Sequence, residues 1–201
     1  MGQGIDLERR WRFPVGMSEI VTDPRRILLL RGVNVGGVKL PMAEFREMLA
    51  GLGLVGAKTF IQSGNAVFCA EGDPKPAIAA GLKDRFGLTV GLFLYDLPRY
   101  RAILSANPYV EAGRADGARV HVFFLARPAD LDPADLDIER LMGFAEGAEA
   151  LTVSPEAIYF NAPNGMGRSV LAEKLSGRLK GSFTARNQRS AEAILALAEA
   201  L

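Results

Sequence analysis

The chain is poor in the two residue types on which many chemical sites depend: among 201 residues it has one cysteine, Cys69, and one histidine, His121. A lone cysteine excludes an internal disulfide and a thiol-rich zinc site, and its setting between Phe68 and Ala70 reads as a small buried side chain. One histidine excludes every metal site that needs two, and no metal site is expected. Alternating with Val120 and Val122, His121 reads as a structural strand residue. Long hydrophobic runs are missing as well. The longest near the start, Ile27 to Leu30, falls far short of the ~20 residues that cross a bilayer and of a signal-peptide core. Asp6 stands where a myristoylation signal wants Ser or Thr. The expectation is a cytoplasmic protein with no membrane partner. Charge of one sign is not in excess either: 24 basic and 23 acidic residues leave a formal +1, so any attraction to nucleic acid has to be local. With no Gly-x-Ser-x-Gly elbow, a serine hydrolase of that kind is excluded. The sequence names no cofactor and no catalytic residue.

What is present is a patterned globular chain, 49% hydrophobic and 23% charged. Residues 1–25, with Gly2, Gly4, Pro14, Gly16 and Pro24 and no sustained period, read as a poorly ordered extension. From Arg26 the order is a strand (Ile27 to Leu30), a polar loop, a helix with Met42, Phe45, Met48, Leu49 and Leu52 on one face, and two strands at 57–62 and 65–70 about a Ser63-Gly64 turn. A helix at 76–86 and a strand at 89–95 follow. This βαββαβ order is ferredoxin-like. A short linker helix at 96–107 ends before Pro108. The second half repeats the order of elements: strand 119–125, helix 133–143, strands 149–153 and 157–161, helix 169–179, strand 182–185. A terminal helix at 188–200 aligns Ala191, Ile194, Leu195, Ala198 and Leu201 for docking. The expected fold class is α+β, two ferredoxin-like subdomains at 26–107 and 108–201 with a C-terminal helix.

Three glycine-rich stretches bear on function. Gly51 to Gly56 matches a dinucleotide fingerprint by spacing alone, but it ends a helix and leads into a strand, the reverse of what pyrophosphate binding needs. Gly32 to Lys39 has P-loop spacing without its chemistry: Val38 holds the lysine position and Lys39 comes one residue late, where the hydroxyl belongs. The loop still joins a strand to a helix, where backbone N–H groups can receive an anion beside Arg31 or Lys39. Asn164 to Ser169 has the same setting, with Ser169 as N-cap and Arg168 as charged partner. Charge is polarised nearby: 168–189 holds six basic residues against Glu173, whereas 130–149 holds seven acidic residues and Arg140.

Four segments stand out together: Arg31-Gly-Val-Asn-Val-Gly-Gly37, Ile61-Gln-Ser-Gly-Asn65 running to Phe68, Tyr159 with the Asn164 to Arg168 loop, and Thr184-Ala-Arg-Asn187. In this order the set resembles the uncharacterised bacterial family called domain of unknown function 1697, over residues 26–201. The resemblance implies an α+β fold of two ferredoxin-like halves and no established activity. Gln188, Arg189 and Ser190 depart from it, since the family tends to carry a tryptophan and then a small polar residue before a threonine there.

The leading functional expectation is a polar cleft between the halves that binds an anionic small ligand, a nucleotide or phosphorylated metabolite. Arg31, Asn34, Gly36, Gly37, Gln62, Ser63 and Asn65 would come from the first half, and Gly165, Gly167, Arg168, Arg186 and Asn187 from the second. Glu44 and Asp96 are the carboxylates within reach of a catalytic role. Two other classes stand beside it: a single-stranded nucleic-acid module using His121, Phe123 and Tyr159 as a stacking face, and a non-catalytic protein-interaction scaffold in which Arg31, Asn34, Asn65 and Asn187 only stitch loops together. On the ligand expectation, replacing Asn34 and Arg186 by alanine removes binding and leaves the melting temperature nearly unchanged.

Overall fold

The unbroken run Ile27-Leu-Leu-Leu30 requires a strand with apolar neighbours on both faces, and that is what the computed structural model of residues 23–126, 136–180 and 183–201 contains. Strand β1 (Arg25–Leu30) lies inside a four-stranded antiparallel sheet of order β2-β3-β1-β4, with β2 Val55–Phe60, β3 Asn65–Cys69 and β4 Leu92–Asp96. Leu28 and Leu30 face helices α1 (Met42–Gly51) and α2 (Lys75–Phe86), joining Phe45, Leu49, Ile78 and Leu82 in one core. Ile27 and Leu29 face the other way, into the centre of the molecule.

The second half has the same plan. Strands β5 (Val120–Leu125), β6 (Ala150–Val153), β7 (Ala157–Asn161) and β8 (Phe183–Asn187) form an antiparallel sheet of order β6-β7-β5-β8. Phe123, Leu125, Ile158 and Phe160 pack on α5 (Ile138–Met142) and α6 (Val170–Arg178). Val122, Phe124, Ala157 and Tyr159 turn inward.

Between the sheets lie α3 (Leu97–Ser105) and α7 (Gln188–Glu199), whose Leu97, Tyr100, Ile103, Ala191, Ile194 and Ala198 fill the shared core. The molecule is therefore five layers deep, helices alternating with sheets. The helix expected to be a linker is a central packing element, because its apolar face has a sheet on each side. Both central helices start the same way: the Asp96 carboxylate accepts from the Arg99 N–H at 2.8 Å, and Asn187 Oδ1 accepts from the Ser190 N–H at 2.9 Å. Tyr100 Oη donates to the Ala191 carbonyl at 3.2 Å, pinning one helix to the other. Asn107, at the expected boundary between halves, is buried and donates to Gln188 Oε1 at 3.1 Å.

Boundaries moved for local reasons. Asp23 and Pro24 lead into β1, while residues 1–22 of the expected extension lie outside the described residues. So do residues 133–135 of the helix expected at 133–143; its described part is helical from Ile138 to Met142. A short helix α4 (Val110–Ala115) and a 3₁₀ turn (Met166–Arg168) were not anticipated. Gly53 (φ +79°) and Gly56 (φ +68°) turn the chain out of α1 and into the irregular start of β2, so this stretch serves the backbone. Among the described residues no helix is long and apolar enough to cross a membrane, and no group of three His, Cys, Asp or Glu is placed to hold a metal ion.

Candidate functional site

At the C-terminal end of β1 the chain leaves the sheet as a loop, 31–40, anchored by buried Val33 and Leu40 and cross-tied by Asn34. Asn34 takes a left-handed backbone (φ +55°), which asparagine tolerates. Its Nδ2 donates to the Leu40 carbonyl at 3.0 Å and to the Gln62 carbonyl at 2.6 Å, while its Oδ1 accepts from the Leu40 N–H at 2.8 Å. Asn34 thus ties the loop to itself and to the β2–β3 turn. Gly36 (φ +57°) and Gly37 (φ +88°) form the exposed tip, and their amides donate to no partner among the described residues. Arg31 donates its backbone N–H to Gly91 at 3.0 Å and lays its guanidinium over the Phe183 ring, 5.0 Å from the centroid. The β2–β3 turn sits alongside, with Gln62 exposed and Ser63 half-buried.

Beneath this rim lies Arg186, projecting from β8 across the joint between halves and only 8% exposed. Nε donates to Asn65 Oδ1 at 2.6 Å; Nη1 donates to Thr184 Oγ1 and the Ala185 carbonyl, both at 2.8 Å; Nη2 donates to the Leu30 and Ser63 carbonyls, both at 2.9 Å. All five guanidinium N–H groups are used. Every acceptor is neutral. Burial pushes the Arg186 pKa down to about 10, which leaves it charged at neutral pH. Asn65, fully buried, completes the network by donating from Nδ2 to the Phe60 carbonyl at 3.1 Å and to Ser63 Oγ at 2.9 Å. The expectation that Arg186 could be truncated without loss of stability is thereby corrected: its removal strands acceptors inside the joint.

The repeated plan supplies an internal comparison. Leu30 pairs with Leu92 as Leu125 pairs with Phe183, so Arg186 in β8 corresponds to Tyr95 in β4; Leu29 pairs with Asn65 as Phe124 pairs with Ala157. The contacts correspond as well. Tyr95 Oη donates to the Leu125 carbonyl at 3.0 Å, where Arg186 Nη2 donates to the Leu30 carbonyl. One of the two equivalent seams is closed by a neutral phenol beside Ala157, the other by a guanidinium beside Asn65. A third tyrosine, Tyr159, donates to the Ile103 carbonyl at 2.8 Å. Burial raises the pKa of Tyr95, Tyr100 and Tyr159 above the usual phenol value.

The structure thus brings together Arg31, Asn34, Gly36, Gly37, Gln62, Ser63, Asn65 and Arg186. It separates the rest. Gly165, Gly167 and Arg168 follow β7 at the opposite end of the second sheet, where Gly165 lies beside Arg119 and Asn161 pairs with Val120. There Gly167 and Arg168 line a distinct cleft of about 330 Å³ with Ser169, Glu173 and Ser176. Ser169 caps α6, accepting from the Ala172 N–H at 3.0 Å. Asn187 belongs to that far end too, opposite His121, with its side chain used as the α7 cap. The reason is strand geometry: neighbours in sequence point to opposite faces, so Arg186 crosses the joint and Asn187 does not. Asp96 is likewise occupied as a cap, whereas Glu44 sits exposed in the first turn of α1.

The stacking face also needs correction. Phe123 is fully buried against α6 and Tyr159 is buried on the opposite face of the sheet, so neither ring offers a plane to a base. Burial lowers the His121 pKa and keeps the ring neutral. Phe183, Tyr95 and the Leu30 carbonyl were missed; Thr184 was noted only as part of the 184–187 motif, although it shares the two-residue strand period with Arg186.

A search of curated proteins finds no match. Among solved structures, the conserved bacterial protein SP0830 from Streptococcus pneumoniae is similar, with a TM-score of 0.65 and 24% identity over 88% of this chain and 98% of that one, a likeness of fold. The model of a family described as "Protein of unknown function (DUF1697)" matches residues 24–159, from the start of β1 into β7 and across the Asn34 loop and the Asn65 turn. That span is more than half of the chain, which therefore belongs to the DUF1697 family.

Proposed function

We propose that this protein binds an anionic small ligand, a nucleotide or phosphorylated metabolite, on the rim formed by the 31–40 loop and the 61–64 turn. The observation that carries the reading is the difference between the two seams. A neutral tyrosine closes one of them with a single hydrogen bond, so closing the joint does not require a charge. Placing a guanidinium in the other, among neutral acceptors alone, carries a desolvation penalty that the tyrosine seam avoids. The retained positive charge raises the potential at the rim above it, where Gly36 and Gly37 are exposed and Arg31 lies over Phe183. At an effective dielectric of about 20, an anion about 7 Å from a unit cation gains roughly 2 kcal/mol. Arg186, with every donor engaged, acts as a positioning residue and fixed charge; the rim supplies the contacts.

The scaffold reading has its own support, since Asn34, Asn65 and Arg186 are bonded to one another's segments. A thermal-shift and calorimetric panel of inorganic phosphate, pyrophosphate and nucleoside monophosphates, at low and physiological salt, separates the two. Saturable stabilisation of the full chain, weakened in Arg31→Gln, is the expected outcome; no binding by any anion refutes the ligand reading and leaves the scaffold. The same proposal takes each half as ferredoxin-like, supported by the strand order and by the two helices on one sheet face. It also takes the protein as cytoplasmic, supported by its single free cysteine.

A further inference from the structure

The β2–β3 turn contains a backbone oddity. Ile61, a β-branched residue, has φ +48°, in the left-handed region that disfavours such side chains most strongly. Core packing does not explain it, because Ile61 is 52% exposed. Glycine or asparagine would take this conformation with less strain. The Asn34 Nδ2 bond to the Gln62 carbonyl ties this turn to the loop that carries Val35, which is 62% exposed. Each of these exposed aliphatic residues is adjacent in sequence to a residue of that 2.6 Å hydrogen bond. The Gly36 and Gly37 amides follow Val35 directly, and Arg31 and Lys39 are exposed in the same loop. Val35 and Ile61 therefore lie on the two segments that form the anion rim.

We infer that the ligand carries an apolar group next to its anionic head, with the head on the 36–37 amides and the apolar part resting on Val35 and Ile61. Its class is then an aryl or acyl phosphate, nucleotides included, and not a bare oxyanion. This rests on the anion reading above and narrows it.

The test is calorimetric titration of the full chain with inorganic phosphate, phenyl phosphate and benzyl alcohol. Phenyl phosphate is expected to bind about tenfold more tightly than phosphate, the gain from removing roughly 55 Å² of apolar surface from water, and benzyl alcohol alone is expected not to bind measurably. In the double variant Ile61→Asn with Val35→Ser, the affinity for phenyl phosphate should fall to that for phosphate, and phosphate binding should stay unchanged. Asparagine accepts the left-handed backbone, so the turn keeps its shape. Equal binding of phosphate and phenyl phosphate by the unaltered chain overturns this inference and leaves the anion reading standing. A preference that survives the double variant also overturns it. Failure of both anions to bind overturns the two readings together.

Discussion

Replacing Arg186 by methionine keeps the aliphatic stem and deletes five hydrogen-bond donors from the joint. Three of those bonds, to Asn65 Oδ1, Thr184 Oγ1 and the Leu30 carbonyl, are buried. Each stranded buried acceptor costs about 1–3 kcal/mol. Thr184 Oγ1 already reaches the Leu30 carbonyl at 3.4 Å and can take over part of that load. The variant is also spared the desolvation of the guanidinium, so the net loss is expected at the lower end of the summed cost of three stranded neutral acceptors, about 3–5 kcal/mol. Tyr95→Phe, at the equivalent place, removes one phenol bond and should cost about 1 kcal/mol. For a chain of this size each kcal/mol lowers the melting temperature by about 2–4 °C, so the two variants should differ by roughly 4–16 °C. Urea unfolding followed by circular dichroism measures both. If Arg186→Met unfolds within 1 kcal/mol of Tyr95→Phe, taken as an order-of-magnitude margin, Arg186 does not hold the joint and the comparison of seams fails.

Three other outcomes are expected. Gly64→Ala should destabilise by about 2–3 kcal/mol in denaturant titration, since Gly64 has φ +71° and an added Cβ would meet Val33 Cγ2 and lie 2.8 Å from Leu30 Cβ; an unchanged midpoint would refute the crowding. Ile61→Asn should stabilise by about 1 kcal/mol in the same assay by relieving the left-handed backbone, and a loss of stability would mean that the side chain packs in solution. Stability should fall above about pH 10, where unfolded tyrosines ionise. Tyr95, Tyr100 and Tyr159 have raised pKa values and hold their protons in the fold, so their contribution is complete below pH 10 and is lost as pH climbs toward the folded values. Arg186 works in the opposite sense over that range, one group against three. Unfolding midpoints that stay level to pH 11, roughly one unit above the free phenol value, would contradict this.

The order of elements was legible in the sequence because apolar spacing and turn residues are local. Ile27 to Leu30 announced a strand covered on both faces, Ser63-Gly64 a hairpin, and Ala191 to Leu201 a docking helix. Motif chemistry was legible in part: Asn34, Asn65 and Arg186 do meet, but as bonded struts with their donors engaged, and Asn187 faces elsewhere although it is the next residue. The role of Tyr95 could not be read locally, because it comes from a register shared by two sheets far apart in the chain. Side-chain periodicity reaches a few residues. Whether a guanidinium is open to solvent or closed over by carbonyls 121 to 156 positions away depends on how two separately patterned halves are pressed together around α3 and α7.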